Sequence, residues 1–131
     1  LYGVPVLLTN SVRPLIQISF PMSFAISKRC LNKKTKKFMD YHSFLKSSFV
    51  NEEMKRDFGD YLLTDNSPEE ILSAVKEMFK LTNHKSLAKK KSEYKKITSE
   101  YKKYLKSNSL ENLNLHMPLA RCFLEKINSQ K

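Results

Sequence analysis

The sequence predicts an α/β fold, with parallel strands and flanking helices at the start and a helix-rich carboxyl-terminal half. Three observations carry that expectation. Val4, Val6, Leu7 and Leu8 form a short apolar run, the pattern of a strand covered on both faces of a parallel sheet. Around residues 60–81 a short strand leads into a strongly signalled amphipathic helix. Beyond residue 85 apolar side chains recur at helical spacing on an otherwise charged segment.

Gly3 and Pro5 punctuate the entrance of the first strand, and Thr9-Asn10 follow where its carboxyl end is expected. In open α/β sheets ligands bind beyond that end. One such strand is not stable alone, so its sheet neighbours are expected ahead of Leu1, and the chain is expected to be the tail of a larger α/β protein. The 131 residues, 40% of them hydrophobic, suffice for one small domain with a core. Gly3 and Gly59 are the only glycines, few for a self-contained α/β fold full of tight turns. Neither G-x-G-x-x-G nor G-x-x-x-x-G-K-[ST] occurs, so no phosphate loop of those kinds lies in this stretch.

After the first strand, residues 11–21 read as a long irregular connection broken by Pro14 and Pro21, with Leu15, Ile16, Ile18 and Phe20 able to dock on something. Residues 22–27 are expected as a second short strand. Residues 32–37 form a charged turn from which Phe38-Met39 return extended. Asp40 is placed to cap a helix through Phe44, Leu45 and Phe49. Tyr61-Leu62-Leu63 is the next strand, and Asp65-Asn66 are turn formers. Ser67 then stands at an N-cap, Pro68 at the first helical position and Glu70 at N3, a capping box with acidic residues at the positive end of the helix dipole. Ile71, Ala74, Val75, Met78 and Phe79 follow as a stripe to bury against a sheet.

Asn83-His84-Lys85 breaks that pattern, and a second helix is expected over residues 86–106, with Leu87, Tyr94, Ile97, Tyr101 and Tyr104 or Leu105 inward. Residues 107–114 read as a polar linker. Residues 118–127 read as a last short helix, with Leu119, Phe123, Leu124 and Ile127 on its inner side.

The net charge of +11 points to an anionic partner, but its placement matters more than its total. One cluster comprises Lys28, Arg29, Lys33, Lys34, Lys36 and Lys37, and another runs from residue 85 to 106, opposed only by Glu93 and Glu100. Arginine, the residue suited to bidentate phosphate or base recognition, is confined to Arg13, Arg29, Arg56 and Arg121. Solvated lysine faces in a Lys-, Asn- and Ser-rich chain are the simpler reading, and no specific nucleic-acid partner is expected.

Cys30 and Cys122 stand far apart without zinc or disulfide-scaffold spacing, so free thiols are expected. No apolar run reaches the roughly 18 residues of a membrane span. The opening stretch, broken by Asn10, Arg13, Pro14, Gln17 and Pro21, is not expected to be a signal peptide.

No catalytic triad announces itself. His42, His84 and His116 are scattered, and the pairs Glu52-Glu53 and Glu69-Glu70 sit at helix starts, where they have a structural role. Tyr94, Tyr101 and Tyr104 could stack bases, but their spacing is that of a packing stripe. Thr9-Asn10 are the pair to single out: small hydrogen-bonding side chains at a strand's carboxyl end can hold a sugar or phosphate oxygen, or can simply turn the chain. Lys28 is a further candidate as a phosphate point charge, against the alternative of a plain surface lysine.

The order "YGVPVLLTN", a Pro-broken loop, "SFAISK", a basic turn, a short helix and "DNSPEEILSAVKEMF" resembles the carboxyl-terminal end of bacterial surface-polysaccharide glycosyltransferases with a GT-B-like pair of Rossmann-type domains. The closing "ARCFLEK" is similar to the tail of that family. The resemblance implies a carboxyl-terminal fragment of a nucleotide-sugar-dependent enzyme. Residues 1–81 would be a partial Rossmann-like donor-binding domain and residues 82–131 a Lys-rich helical extension, whose lysine-rich helix over residues 86–106 departs from the family's compact pattern. It implies Thr9 and Asn10 lining the donor cleft with Lys28 near it, and no metal, because helix dipoles and basic side chains stabilise the leaving diphosphate. The implied partners are a nucleotide sugar, a glycan or lipid-linked acceptor and the missing amino-terminal part of the same protein, with a weak contact to an anionic membrane surface. The implied compartment is the cytoplasm, at the inner face of the membrane, and the fragment alone is expected to be inactive. Two other classes compete: a small basic helical module binding nucleic acid or anionic surfaces, and a helix-pairing protein using the Tyr94/Tyr101 stripe.

Overall fold

A computed structural model describes residues 5–12, 22–51, 55–113 and 117–130. The architecture is mixed α/β, with a short parallel strand pair, a short antiparallel pair and helices packed on them. β1 (Leu7–Ser11) runs parallel to β2 (Phe24–Ser27), Leu7 opposite Phe24 and Leu8 opposite Ala25, with an irregularity before Ser11 meets Ser27. The far edge of β2 is also taken. Its Ala25 N–H donates to the Pro118 carbonyl at 2.9 Å and its Ala25 carbonyl accepts from Ala120 N–H at 2.9 Å, a parallel bridge to Leu119. β2 is therefore central, and Phe24, Ala25, Ile26 and Ser27 are all 0% exposed. β1, by contrast, is half-buried throughout and pairs only with β2 among the described residues.

Lys28 interrupts the strand direction, and β3 (Arg29–Asn32) leaves the parallel pair to run antiparallel to β4 (Tyr61–Thr64), with Cys30 opposite Leu63. The Asn32 side chain accepts from the N–H groups of Lys34 and Thr35 at 2.9 and 3.0 Å, building the charged turn. Phe38 then returns beside Leu31.

α1 (Tyr41–Lys46) is shorter than its apolar spacing predicts. Asp40 makes no side-chain cap bond, and the chain tightens into a 3₁₀ turn over Ser48–Asn51, so Phe49 sits outside the α-helix. α2 (Pro68–Thr82) has its capping box as expected: Glu70 N–H donates to the Ser67 hydroxyl at 3.2 Å and Ser67 N–H to Glu70 Oε2 at 2.9 Å. Its stripe is a correction. Ala74 is buried and Ile71 and Met78 are partly covered, but Val75 is 47% and Phe79 62% exposed. The small parallel sheet covers only one side of a broad apolar face.

α3 (Leu87–Ser107) buries Ile97, Tyr101 and Tyr104, and leaves Leu87 58% exposed. The expected linker after it contains a short 3₁₀ helix, Glu111–Leu113, and Leu110 is 0% exposed, so one apolar side chain anchors an otherwise polar stretch. The last helix, α4 (Arg121–Asn128), starts later than expected because residues 118–120 are extended alongside β2; Phe123, Leu124 and Ile127 are buried from the helix and Leu119 from the extended piece.

The expected boundary after residue 81 falls at the end of α2, while one hydrophobic cluster draws on both sides of it: Phe24, Ile26, Phe44, Leu63 and Ala74 with Ile97, Tyr101, Phe123 and Ile127. Tyr41 packs edge-on against Phe123, ring centres 5.6 Å apart, and the Tyr94 hydroxyl donates to the Ser23 carbonyl at 2.8 Å. Both cysteines are free. Among the described residues no helix is long and apolar enough to cross a membrane. The expectations for Val4, for residues 13–21, for Glu52-Glu53 and for His116 lie outside the described residues.

Candidate functional site

The carboxyl ends of β1 and β2 meet the amino end of α2. Thr9 and Asn10 are not beyond the first strand, as the sequence suggests, but inside its last turns of pleat: β1 runs on to Ser11. Asn10 has a left-handed backbone, φ 54°, which asparagine tolerates better than most residues. Its N–H donates to Asn66 Oδ1 at 2.7 Å, and Asn66 N–H donates back to Asn10 Oδ1 at 2.6 Å. The reciprocal pair ties the first strand to the turn before α2, 56 residues on. Asn66, 7% exposed, also donates through Nδ2 to the Ser27 carbonyl at 2.7 Å and to Glu70 Oε2 at 3.3 Å. Three elements are thus fastened by one amide.

Two charged groups flank this knot. Lys28 Nζ lies 2.8 Å from Asp65 Oδ1, with the lysine side chain 11% and the aspartate 47% exposed. Arg56 approaches the other oxygen of Asp65 at 3.5 Å. The hydrogen bond from Lys28 keeps the Asp65 carboxyl ionised below the usual aspartate range. Glu70 sits on the other side, its side chain 11% exposed, with Lys126 Nζ at 2.6 Å and the Arg29 guanidinium at 3.9 Å. Burial works against its charge, but the Lys126 contact and the Ser67 N–H together hold its carboxyl below the ordinary value. Arg29 itself is 5% exposed. Its guanidinium carbon stands 3.7 Å from the centre of the Phe38 ring, and one nitrogen donates to the Gln130 side chain.

What this arrangement offers a ligand follows from what is already spent. The backbone N–H groups of Ser67 and Glu70 are taken by the capping box, so the helix terminus presents few free donors. Asn10 Oδ1 and N–H are taken by Asn66. The Asn10 Nδ2 and the Thr9 hydroxyl make no hydrogen bond to another described residue, and both can address an oxygen-rich ligand. Lys28 is near the strand ends, as expected, but its charge is shared with Asp65; because that carboxylate is half exposed, an anion can compete for the ammonium.

The structure brings Asn10 to Asn66 and Lys28 to Asp65, and it adds Glu70, Arg29 and Lys126, none of which the sequence singles out as a site residue. Glu70 was legible as a capping residue only. Its second role, holding a lysine 56 residues away, has no local signature. A wider recess of about 580 Å³ opens at the other end of α2, lined by Glu77, Leu81, His84, Glu93, Ile97 and Arg121. Its carboxylates and its arginine are committed, leaving Lys80 on its rim: Glu77 accepts the Arg121 and Cys122 N–H groups at 2.8 and 3.2 Å, Glu93 holds Lys96, and Arg121 grips Glu100 at 2.7 Å. The thiols are poor nucleophiles, since burial pushes Cys30 up to about 11 and Cys122 up to about 12.

Comparisons with protein-family models, curated proteins and solved structures find no match to this chain.

Proposed function

We propose that this chain is the carboxyl-terminal part of a GT-B-like glycosyltransferase and supplies one wall of a nucleotide-sugar cleft, in a Rossmann-like domain. The observation that carries the reading is the convergence of Thr9, Asn10 and Lys28 where the carboxyl ends of parallel strands meet the start of a helix, the place where α/β sheets take ligands. The resemblance of "YGVPVLLTN" and "DNSPEEILSAVKEMF" to that enzyme family supplies the chemistry. Thr9 and the Asn10 amide bind sugar or ribose oxygens, and Lys28 shares its charge between Asp65 and a donor phosphate. The edge of β1 that is unpaired among the described residues is where a further strand of the same domain adds. An acceptor, glycan or lipid-linked, approaches from a second domain, so this chain alone binds donor weakly and turns nothing over.

The test is a titration with uridine diphosphate and uridine-diphosphate sugars, read by amide shifts. Perturbations centred on Thr9, Asn10 and Lys28 are expected, and Thr9→Val weakens them without changing stability, because its hydroxyl bonds to no described residue. Shifts confined to the lysines of α3, or turnover by this chain itself, would remove the reading. The competing class, a polyanion-binding basic module, is favoured instead if retention on RNA shows a steep salt dependence and ignores Thr9.

A further inference from the structure

We propose that the corner where α2 turns into α3 is a docking surface for an anionic phospholipid bilayer. The apolar side chains Leu72, Val75, Phe79 and Leu87 are 53, 47, 62 and 58% exposed. The first three recur at three- and four-residue steps along one flank of α2, and Leu87 opens α3 just past the intervening turn. This flank is not the one that packs on α4, since Glu70 and Glu77 face that helix through Lys126, Arg121 and Cys122. Among the described residues it is therefore a free face and not a gap in the core.

Its surroundings name the occupant. Lys76, Lys80, Lys85, Lys89 and Lys91 are all exposed along the same stretch, and none has an acidic partner within ion-pair distance among the described residues. Of the carboxylates along this stretch, Glu77 is engaged on the amino end of α4, Glu93 on Lys96 and Glu100 on Arg121, while Glu69 lies in the first turn of α2, at the far end from Leu87. Lys95, Lys102, Lys103 and Lys106 continue the positive face on the side of α3 away from buried Ile97, Tyr101 and Tyr104.

Ammonium groups respond to charge density more than to a fixed donor pattern, and an anionic leaflet attracts such clusters. Bulky apolar side chains set among them enter the headgroup boundary. A nucleic acid would use the lysines but leave Leu72, Val75 and Leu87 bare. The one arginine close by, Arg121, is already bidentate on Glu100 at 2.9 and 2.7 Å. The surface stands apart from the donor reading, and its test involves no nucleotide sugar.

The experiment is co-sedimentation of the chain with phosphatidylcholine vesicles, plain or carrying about one third phosphatidylglycerol. Binding to the anionic vesicles alone is expected, falling with added salt. Neutralising one lysine (Lys85→Gln or Lys89→Gln) lowers the partition about fivefold. Phe79→Ser with Leu87→Ser lowers it about tenfold, with the circular dichroism unchanged because both side chains are exposed. Three results would overturn the proposal. The first is equal binding to plain and anionic vesicles or to neither. The second is retention on a single-stranded RNA that exceeds vesicle binding and survives the double serine variant. The third is a dimer in sedimentation velocity that the serine variant dissolves while vesicle binding is unmoved.

Discussion

Asn66 holds β1, β2 and α2 in register with a single buried amide, giving and taking a backbone bond with Asn10 and donating to the Ser27 carbonyl. Removing it leaves the Asn10 N–H and the Ser27 carbonyl without a partner, and each orphaned buried group costs about 1–3 kcal/mol. Asn66→Ala is therefore expected to destabilise the chain by about 3 kcal/mol, read as a lower urea midpoint at constant slope. Asn10 separates two effects: Asn10→Gly loses the side-chain bond but suits φ 54°, whereas Asn10→Ala also bears the left-handed strain. The alanine variant should be less stable than the glycine one by about 1 kcal/mol. Glu70 predicts a pH dependence. Its folded pKa lies below its ordinary value of 4.5, so its contribution is fully present above about pH 5 and is lost as pH falls through the lowered folded value. Glu70→Gln should flatten that acid limb while leaving the neutral-pH fold intact; an unchanged acid slope would show that Glu70 is not its source. None of these partners was legible in advance. Asn66 read as a turn former and Glu70 as a cap because local spacing reports what a residue does for its own turn, not which strand lies across from it.

Elements were legible where their signals are local. The capping box of α2, Pro68 and the acidic first turn fixed the start of that helix to the residue, since each works through bonds within four positions. Ser67→Ala should cost about 1 kcal/mol and Ser67→Gly less. The strand at Tyr61–Thr64 and the turn held by Asn32 were equally readable. The start of α4 was not. Ala120 cannot cap a helix, and the cap comes instead from Glu77 on α2, whose carboxylate accepts both Arg121 and Cys122 N–H groups. A cap lent by another helix leaves no mark near the helix it serves. Glu77→Ala is expected to unseat the first turn of α4 and to lower stability by about 1–2 kcal/mol, the range of N-cap losses, with amide exchange quickening first at Arg121 and Cys122. The stripe of α2 failed for a related reason: periodicity identifies an apolar face, but not how much of it the available sheet covers.

Across the whole molecule, the α/β class was legible from the apolar run and the strand-helix alternation, while the packing of the two halves was not. β2 has β1 on one edge and residues 118–120 on the other, so the most buried strand of the amino-terminal half is completed by a segment from the end of the chain. The aromatic centre repeats the pattern, with Tyr41 against Tyr104 and Phe123. A sequence reading sees Leu119 as the inner side of a helix because nothing in residues 118–120 names the strand they pair with. The consequence can be tested by division. A polypeptide ending at residue 81 keeps Leu8 beside Ala25 but loses its other partner, Leu119, and the apolar side chains that complete the cluster around Phe24, Ile26 and Phe44, and burial of that apolar surface is the main term favouring folding. It is expected to lack cooperative thermal unfolding and amide dispersion, and to regain both when residues 82–131 are added in trans. Were residues 1–81 to fold alone with the β1–β2 register intact, the shared core would be packing between two separate domains, and the Lys-rich half would be an appendage to the candidate cleft.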